Sequence, residues 1–299
     1  MEITFLGTSG MVPTKDRNVA AVFLSYKNER ILFDCGEGTQ RQMNIAGIKR
    51  NSVTKILITH WHGDHVIGIA GLLQTMGNDE NELSVEIYGP EGTKERMEHV
   101  IKSSIFDLRI KLKINEIKCS KPENIFENSD FIIEAAAMEH GVPCIGFAFI
   151  EKERRNIDKE FIVKNKVGEG EHLKELLKGN DIIYKGKNIK WRDAVNVTVG
   201  RKICYITDTM YCSNAIDIAK DSDLLICESV YASNLQDKAE KYMHMTAKSA
   251  AMIANQANVK QLVLTHFSQR YKNTQEIEDD ARDYFDNVIC AVDFMRIKL

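Results

Sequence analysis

The stretch ILITHWHGDHVIGIAGLL, residues 56–73, places His60, His62, Asp64 and His65 within six positions between two apolar runs. Imidazole and carboxylate without thiolate suit Zn, Mn or Fe centres with hydrolytic chemistry, not a Cys-rich structural zinc knot. In extended chain, side chains alternate, so His60 and His62 point the same way and can share one metal. Gly63 permits a tight turn, after which Asp64 and His65 can face a second metal. A single histidine is more often a satisfied core group or a surface residue; four such ligands in six positions are improbable by chance.

The elements that must hold this cluster alternate along the chain. EITFLG, AAVFLSY and RILFD read as strands, as do TKILIT and VEIYG, and DHVIGIAGLLQTM has helical spacing with Val66, Ile69, Leu72 and Leu73 on one face. GPEGTKERMEHVIKSS starts with Pro and continues as a helix. LRIKLKINEI alternates as a half-exposed strand with a solvated lysine face. FIIEAAAMEH and CIGFAFIE are further strands. Beyond a polar region come KICYITD, LLICES and QLVLTH, with helices near 213–220, 245–257 and 274–286, and a last strand VICAVDFMRIKL. One ending recurs: ILITH60, CYITD208 and LVLTH266 are apolar strands that close on Thr and then His or Asp. One strand ending in a polar residue is only the chain reaching water. Three with the same ending, beside the histidine cluster, point to a site at a sheet rim, where α/β folds place ligands.

The 299 residues suit one large domain or two small ones, and 43% hydrophobic with 28% charged residues is ordinary for a soluble globular enzyme. No run of 18 apolar residues implies a membrane span, and MEITFLGTSG reads as a strand and not as a signal peptide. Seven scattered cysteines with no CxxC pair argue against disulfides and for a reducing, cytoplasmic setting. A net charge of -3 does not announce a nucleic-acid binder. Its distribution says more: residues 151–192 hold twelve Lys or Arg against eight Asp or Glu, a net of +4 beside -7 for the remainder.

H-x-H-x-D-H after an apolar strand resembles the metallo-β-lactamase superfamily, and the resemblance runs through the whole chain in order. It implies an α/β fold, the αβ/βα four-layer sandwich: two sheets face to face, helices outside, two pseudo-symmetric halves and metals at one rim. Residues 1–299 would form that single domain. The strand–helix alternation agrees, though it would also allow a doubly wound sheet. Four stretches resemble the ribonuclease Z family: FDCGEGTQRQ (33–42), PTKDRN (13–18), ICESVY (226–231) against an H-E-A-T motif, and HMTAKSAA (244–251) against an H-S-T motif. The resemblance implies a zinc-dependent endoribonuclease that removes the 3′ trailer of precursor tRNA after the discriminator nucleotide and leaves a 3′-hydroxyl. Two zinc ions per subunit are implied, one held by His60, His62 and His140, the other by Asp64, His65 and His266, with Asp208 bridging. Asp64 would orient or deprotonate water, and His244, paired with Glu228, would protonate the leaving oxygen. Lys15 and Arg17 would pair with phosphates and Asn18 with a sugar or base near the tRNA 3′ end.

Residues 151–192 would be an inserted flexible arm, a basic hairpin with its tip near VGEGEHLKELLKGN that clamps the tRNA elbow. The assembly implied is a homodimer, with no membrane partner. His99 and His172 match no motif and read as surface residues. The chain departs from the family where Cys227 stands for the His of H-E-A-T, where Met245 follows His244 in place of Ser, and where VGEGEHL lacks the arm's Gly-Pro. The alternatives are a small-molecule hydrolase of the same fold and a metal-stabilised RNA-binding protein without catalysis.

Overall fold

The structure is a computed structural model that describes residues 1–77 and 83–299. Along the chain the first strands are β1 (Glu2–Gly7), β2 (Ala21–Tyr26), β3 (Glu29–Phe33), β4 (Lys55–Leu57), β5 (Ser84–Pro90), β6 (Lys111–Ile117), β7 (Glu123–Glu127), β8 (Phe131–Met138) and β9 (Cys144–Glu151). Then come β10 (Arg154–Ile157), β11 (Ile182–Tyr184), β12 (Lys187–Ile189) and β13 (Val195–Thr198), and finally β14 (Lys202–Ile206), followed by helix α8 (Ser213–Ala219), β15 (Leu224–Glu228), β16 (Leu262–Thr265), β17 (Val288–Cys290) and β18 (Arg296–Lys298). The chain divides into two compact units: residues 1–127, 132–149 and 202–299 form one, and 128–131 with 150–201 the other.

In the larger unit, β1, β2 and β4 are apolar almost without interruption and buried along nearly their whole length. Strands covered on both faces carry that pattern. Two seven-stranded sheets result, ordered β18-β1-β2-β3-β4-β5-β6 and β17-β16-β15-β14-β9-β8-β7. Their inner faces meet through rings: Phe33 lies 5.1 Å from Tyr205 and 6.3 Å from Phe147, and Tyr26 lies 5.1 Å from Phe149. On the first sheet a helical layer, α1 (Thr39–Ile45), α2 (Gly63–Val66), α3 (Ile69–Met76) and α4 (Thr93–Lys102), buries Met43, Leu72, Leu73 and Met97. This is the sandwich expected. β3 to β6 pair parallel, as do β14 to β17. Parallel neighbours need crossovers, so the C-terminal ends of these strands all open onto loops at one rim.

Three expectations need correction. The helix read through 64–76 breaks after Val66, because Gly68 packs on the loop after β3. Its N–H donates to Cys35 O at 2.9 Å, and a Cβ there would lie 2.1 Å from Gly36 O. The last strand is two strands in different sheets: β17 closes the second sheet, then the chain crosses and β18 pairs antiparallel with β1. The helix expected from Pro90 begins at Thr93, and Pro90 ends β5.

The smaller unit is not a bare hairpin. β10 pairs antiparallel with β13, so the insertion closes past residue 192. Between them lie α5 (Lys159–Lys164), α6 (His172–Lys178), the β11–β12 hairpin and α7 (Trp191–Ala194). Asp158 caps α5 by accepting from Phe161 N at 3.0 Å. Lys185 (φ 48) and Gly186 (φ 77) make the hairpin turn, whose two central residues both need positive φ. The expected tip instead supplies Val167 and Leu176 to a small core with Ile182, Ile189, Ala194 and Val195, because Leu173, Leu176 and Leu177 recur at helical spacing. Among the described residues all seven cysteines are free, and no helix is long and apolar enough to cross a membrane.

Gly68→Ala should destabilise the protein by about 2 kcal/mol or more, since its new methyl meets backbone and not a movable side chain. Urea unfolding measures this; a change below about 0.5 kcal/mol would show that the loop yields freely.

Candidate metal centre

The parallel strands deliver their polar ends to one place. His60 follows β4, Asp208 follows β14, His266 follows β16 and Glu228 ends β15, while His140 stands two residues beyond β8. Asp34 (φ 55), Asp208 (φ 48) and His266 (φ 59) all take the left-handed backbone region. Each costs about 1–2 kcal/mol there, strain that persists where a site requires it. The turn carrying Asp64 and His65 is held by the DCGEG loop: Cys35 N donates to His65 O at 2.7 Å.

Two donor clusters form. In the first, His62 Nδ1 lies 3.0 Å from His60 Nε2 and 3.3 Å from His140 Nε2, and Asp208 Oδ2 lies 3.5 Å from His60 Nε2 and 3.9 Å from His140 Nε2. In the second, His65 Nε2 lies 3.1 Å from His266 Nε2, and Asp64 Oδ2 is 3.6 and 3.4 Å from the two. Asp208 Oδ1 turns to this second group, 3.4 Å from His65 Nε2 and 3.3 Å from His266 Nε2. Donors around a tetrahedral ion bound at ~2.0–2.1 Å stand about 3.3 Å apart, the spacing seen here. Asp208 Oδ1 is also buried without a hydrogen-bond partner, an orphaned anionic oxygen that a cation would satisfy.

The electrostatics agree. Burial, then His65, keeps the His60 imidazole well below its ordinary value, and burial with His140 lowers His62, so both offer lone pairs. Burial alone would raise Asp208; His266, His65 and His60 hold it well below the usual carboxylate range. His65 differs. Burial opposes its charge, but Asp208 and Asp34 hold it well above the ordinary value, so it must shed a proton when a cation binds. The set fits a divalent metal.

Around the ligands lies a layer of orienting groups. Asp34, fully buried, accepts from His65 Nδ1 at 2.8 Å and from Tyr205 Oη at 3.1 Å, which aims His65 Nε2 into the centre. The sequence signal for Asp34 is RILFD34, a fourth apolar strand that closes on a His or an acid. Met11 N donates to Asp64 Oδ2 at 2.6 Å. Met243 O accepts from His140 Nδ1 at 3.0 Å. Both act through the backbone, so no side-chain signal could have shown them.

His244 is not at a helix N-terminus. It follows α9 (Gln236–Lys241), whose end is a Schellman turn: Met243 takes φ 57, His244 N donates to Ala239 O at 2.9 Å and Met243 N to Glu240 O at 3.0 Å. One turn therefore carries the His140 brace and presents His244. The His244 ring lies 5.4 Å from that of His140 and 5.9 Å from that of His266. Its Nδ1 is 3.1 Å from Glu228 Oε2, while Glu228 Oε1 accepts from Thr209 N at 2.6 Å. Burial would lower His244, but the charge and hydrogen bond of Glu228 push it up to about 9. Cys227, where the H-E-A-T pattern has His, is fully buried inside β15.

A cleft of about 760 Å³ opens over these residues. The loop 10–18 forms part of its wall and is pinned by Asp293, which accepts from Asn18 N at 2.7 Å, Thr8 Oγ1 at 2.8 Å and Gln42 Nε2 at 2.9 Å. Within this loop Lys15 is exposed beside Asp16. Arg17 turns inward instead of presenting its charge, donating to the carbonyls of Tyr271 and Ser268 and lying over Phe267. Asn18 Nδ2 donates to Glu37 O at 2.8 Å and so ties this loop to the GEG turn. His99 is exposed; His172 is half-buried, bonded to Gly168 O and packed on Tyr184.

A family model described as "Anti-Pycsar protein Apyc1" matches residues 1–185, and one described as "Beta-lactamase superfamily domain" matches 177–267. Ribonuclease Z of Methanothermobacter thermautotrophicus is 38% identical over 300 aligned positions, covering 100% of this chain and 97% of its own. Ribonuclease Z of Protochlamydia amoebophila is 36% identical over 294, covering 98% and 95%. The crystal structure of the short form of human tRNase Z is similar with a TM-score of 0.72 at 30% identity, covering 100% of this chain and 99% of that one.

Asp34→Asn should weaken metal binding at the Asp64–His65–His266 cluster by about 10–100-fold and leave the His60–His62–His140 cluster within a few-fold. Competition against a chromophoric chelator reads both affinities. Equal weakening at both would show that Asp34 serves the fold and not His65.

Proposed function

The chain belongs to the ribonuclease Z family, and on that premise we propose that it is a zinc-dependent endoribonuclease that hydrolyses the 3′ trailer from precursor tRNA after the discriminator nucleotide, leaving a 3′-hydroxyl. The observation that carries this reading is the His244–Glu228 pair facing the ligand clusters. A ribose alkoxide is a poor leaving group and needs a proton at the moment the bond breaks.

His60, His62 and His140 would hold one zinc and Asp64, His65 and His266 the other, with Asp208 facing both clusters. Bound there, such ions would lower the pKa of water towards neutrality and offset charge on the phosphate. The chain's own groups do the rest. Asp64, fixed by Met11 N at Oδ2, orients the water and takes its proton at Oδ1. His244, whose Nδ1 is committed to Glu228, donates from Nε2 to the departing O3′. The new bond is water oxygen to phosphorus; the bond lost is phosphorus to O3′.

Recognition of the tRNA falls to two places. Lys15 meets phosphate at the 3′ end, with Arg17 and Asn18 holding the loop that presents it. The smaller unit, with Arg154, Lys185, Lys187, Lys190 and Arg192 exposed, supplies the second grip on the tRNA. The enzyme works as a cytosolic homodimer in which each subunit's arm holds the tRNA cut by its partner; two-fold dimers are the commonest assembly. The fold also suits small-molecule hydrolysis, which the first experiment separates.

A 5′-labelled precursor tRNA should be cut once, at the discriminator. Asp64→Ala and chelator treatment should each abolish the cut; turnover of an aryl phosphodiester with the tRNA left intact would favour the small-molecule hydrolase. His244 acts in its protonated form, so kcat/KM should fall as pH rises through about 9. Glu228→Gln removes the main raising cause and should move that alkaline limb down by at least about one pH unit; an unmoved limb would remove His244 as the acid. Replacing Lys185, Lys187, Lys190 and Arg192 with Ala should raise KM for precursor tRNA and flatten the slope of its logarithm against log salt by about 0.7–0.9 per lost phosphate contact.

A further inference from the structure

The direction in which a strand lies in the cleft follows from where its proton comes from. This inference rests on the proposed function: the bond that breaks is phosphorus to O3′, and O3′ belongs to the nucleotide 5′ of the cut. His244 donates to that oxygen, so that nucleotide must lie against the wall carrying His244. The same wall presents Tyr231, Lys238 and Tyr242.

Tyr242 caps α9, with its N–H donating to Ala239 O at 3.1 Å, yet its side chain leaves the residue 52% exposed beside a catalytic group. Lys241 Nζ lies 5.7 Å from its ring centre, and Lys238 Nζ lies 5.2 Å from that of Tyr231. Lys238 is the one Lys or Arg lining the cleft among the described residues. Among the other lining residues, Met11 to Pro13 with Ile67 and Glu37 offer apolar groups and an acid. An aromatic face and a cation together match a nucleotide, which joins a π face to a phosphate. Tyr242 and His244 sit one residue apart on a hydrogen-bonded turn, so one short segment brings both to the cleft.

We propose that Tyr242 and Lys238 form the subsite for the nucleotide 5′ of the scissile phosphate, with its base stacked on the Tyr242 ring and its own 5′-phosphate paired with Lys238. Stacking on a ring accepts any base, so the subsite positions the nucleotide without dictating its identity.

The test is a cycle between protein and substrate. Precursor tRNA with an ordinary base and with an abasic residue at that nucleotide is cut by wild type, Tyr242→Ala and Tyr242→Phe. Removing the base should lower wild-type kcat/KM about five- to a hundredfold. Tyr242→Ala should lose a similar factor on the base-bearing tRNA and show little further loss when the base is removed. Tyr242→Phe should keep most of the wild-type rate, since the ring face and not the hydroxyl does the stacking. Losses that multiply independently, or a Phe variant as slow as Ala, would overturn the proposal. The product ends are read separately. A wild type that cuts but leaves a 3′-phosphate would overturn this strand direction while keeping the nuclease, and a wild type that does not cut precursor tRNA would overturn the proposed function itself.

Discussion

Asp208 sets the terms for the rest of the molecule. Its carboxylate is buried, with Oδ2 turned to His60 and His140 and Oδ1 to His65 and His266. A buried ionised carboxylate is untenable unless opposite charge and ligands surround it. Four imidazoles must therefore arrive at one point from three strand ends and one turn. The sheets satisfy this because their parallel strands all finish at one rim. The backbone yields where it must: Asp208 and His266 adopt a left-handed conformation that side-chain packing alone would not favour.

What the sequence revealed follows the same physics. His60, His62, Asp64 and His65 are close along the chain, so their types and spacing announce a site without any structure. Asp208 and His266 show through a repeated strand ending. His140 has no such signal; it follows an ordinary eight-residue strand, and only resemblance to a family singled it out. Asp34 was readable as another strand ending in an acid. The N–H of Met11 and the carbonyl of Met243 were not, because every residue owns those groups and only tertiary position gives them a task. The same limit hid the insertion's true form. Its charges suggested a loose basic hairpin, while Leu173, Leu176 and Leu177, spaced as a helix, were the sign of a small core. Splitting the last strand between two sheets was invisible for a related reason: VIC and RIK lie in one short run that reads as strand, and only the two sheets' open edges separate them.

The turn after α9 joins tasks that are usually described apart. Met243 O orients His140, and the next residue is His244, the acid of the proposed reaction. Any shift of this turn moves His140 and His244 together, so their separation is fixed by the backbone and not by side-chain packing. Glu228 adds a second tie, since one oxygen meets His244 and the other the N–H of Thr209, next to Asp208.

Asp293 has a consequence in time. The loop 10–18 is made well before the carboxylate that pins it, 275 residues further along from Asn18, and the strand that covers the edge of β1 comes later still. A growing chain thus carries the HWHGDH segment with neither His266, 201 residues beyond His65, nor that brace, and with β1 open to pairing by another strand. The donor clusters and the edge of β1 therefore close late, and together.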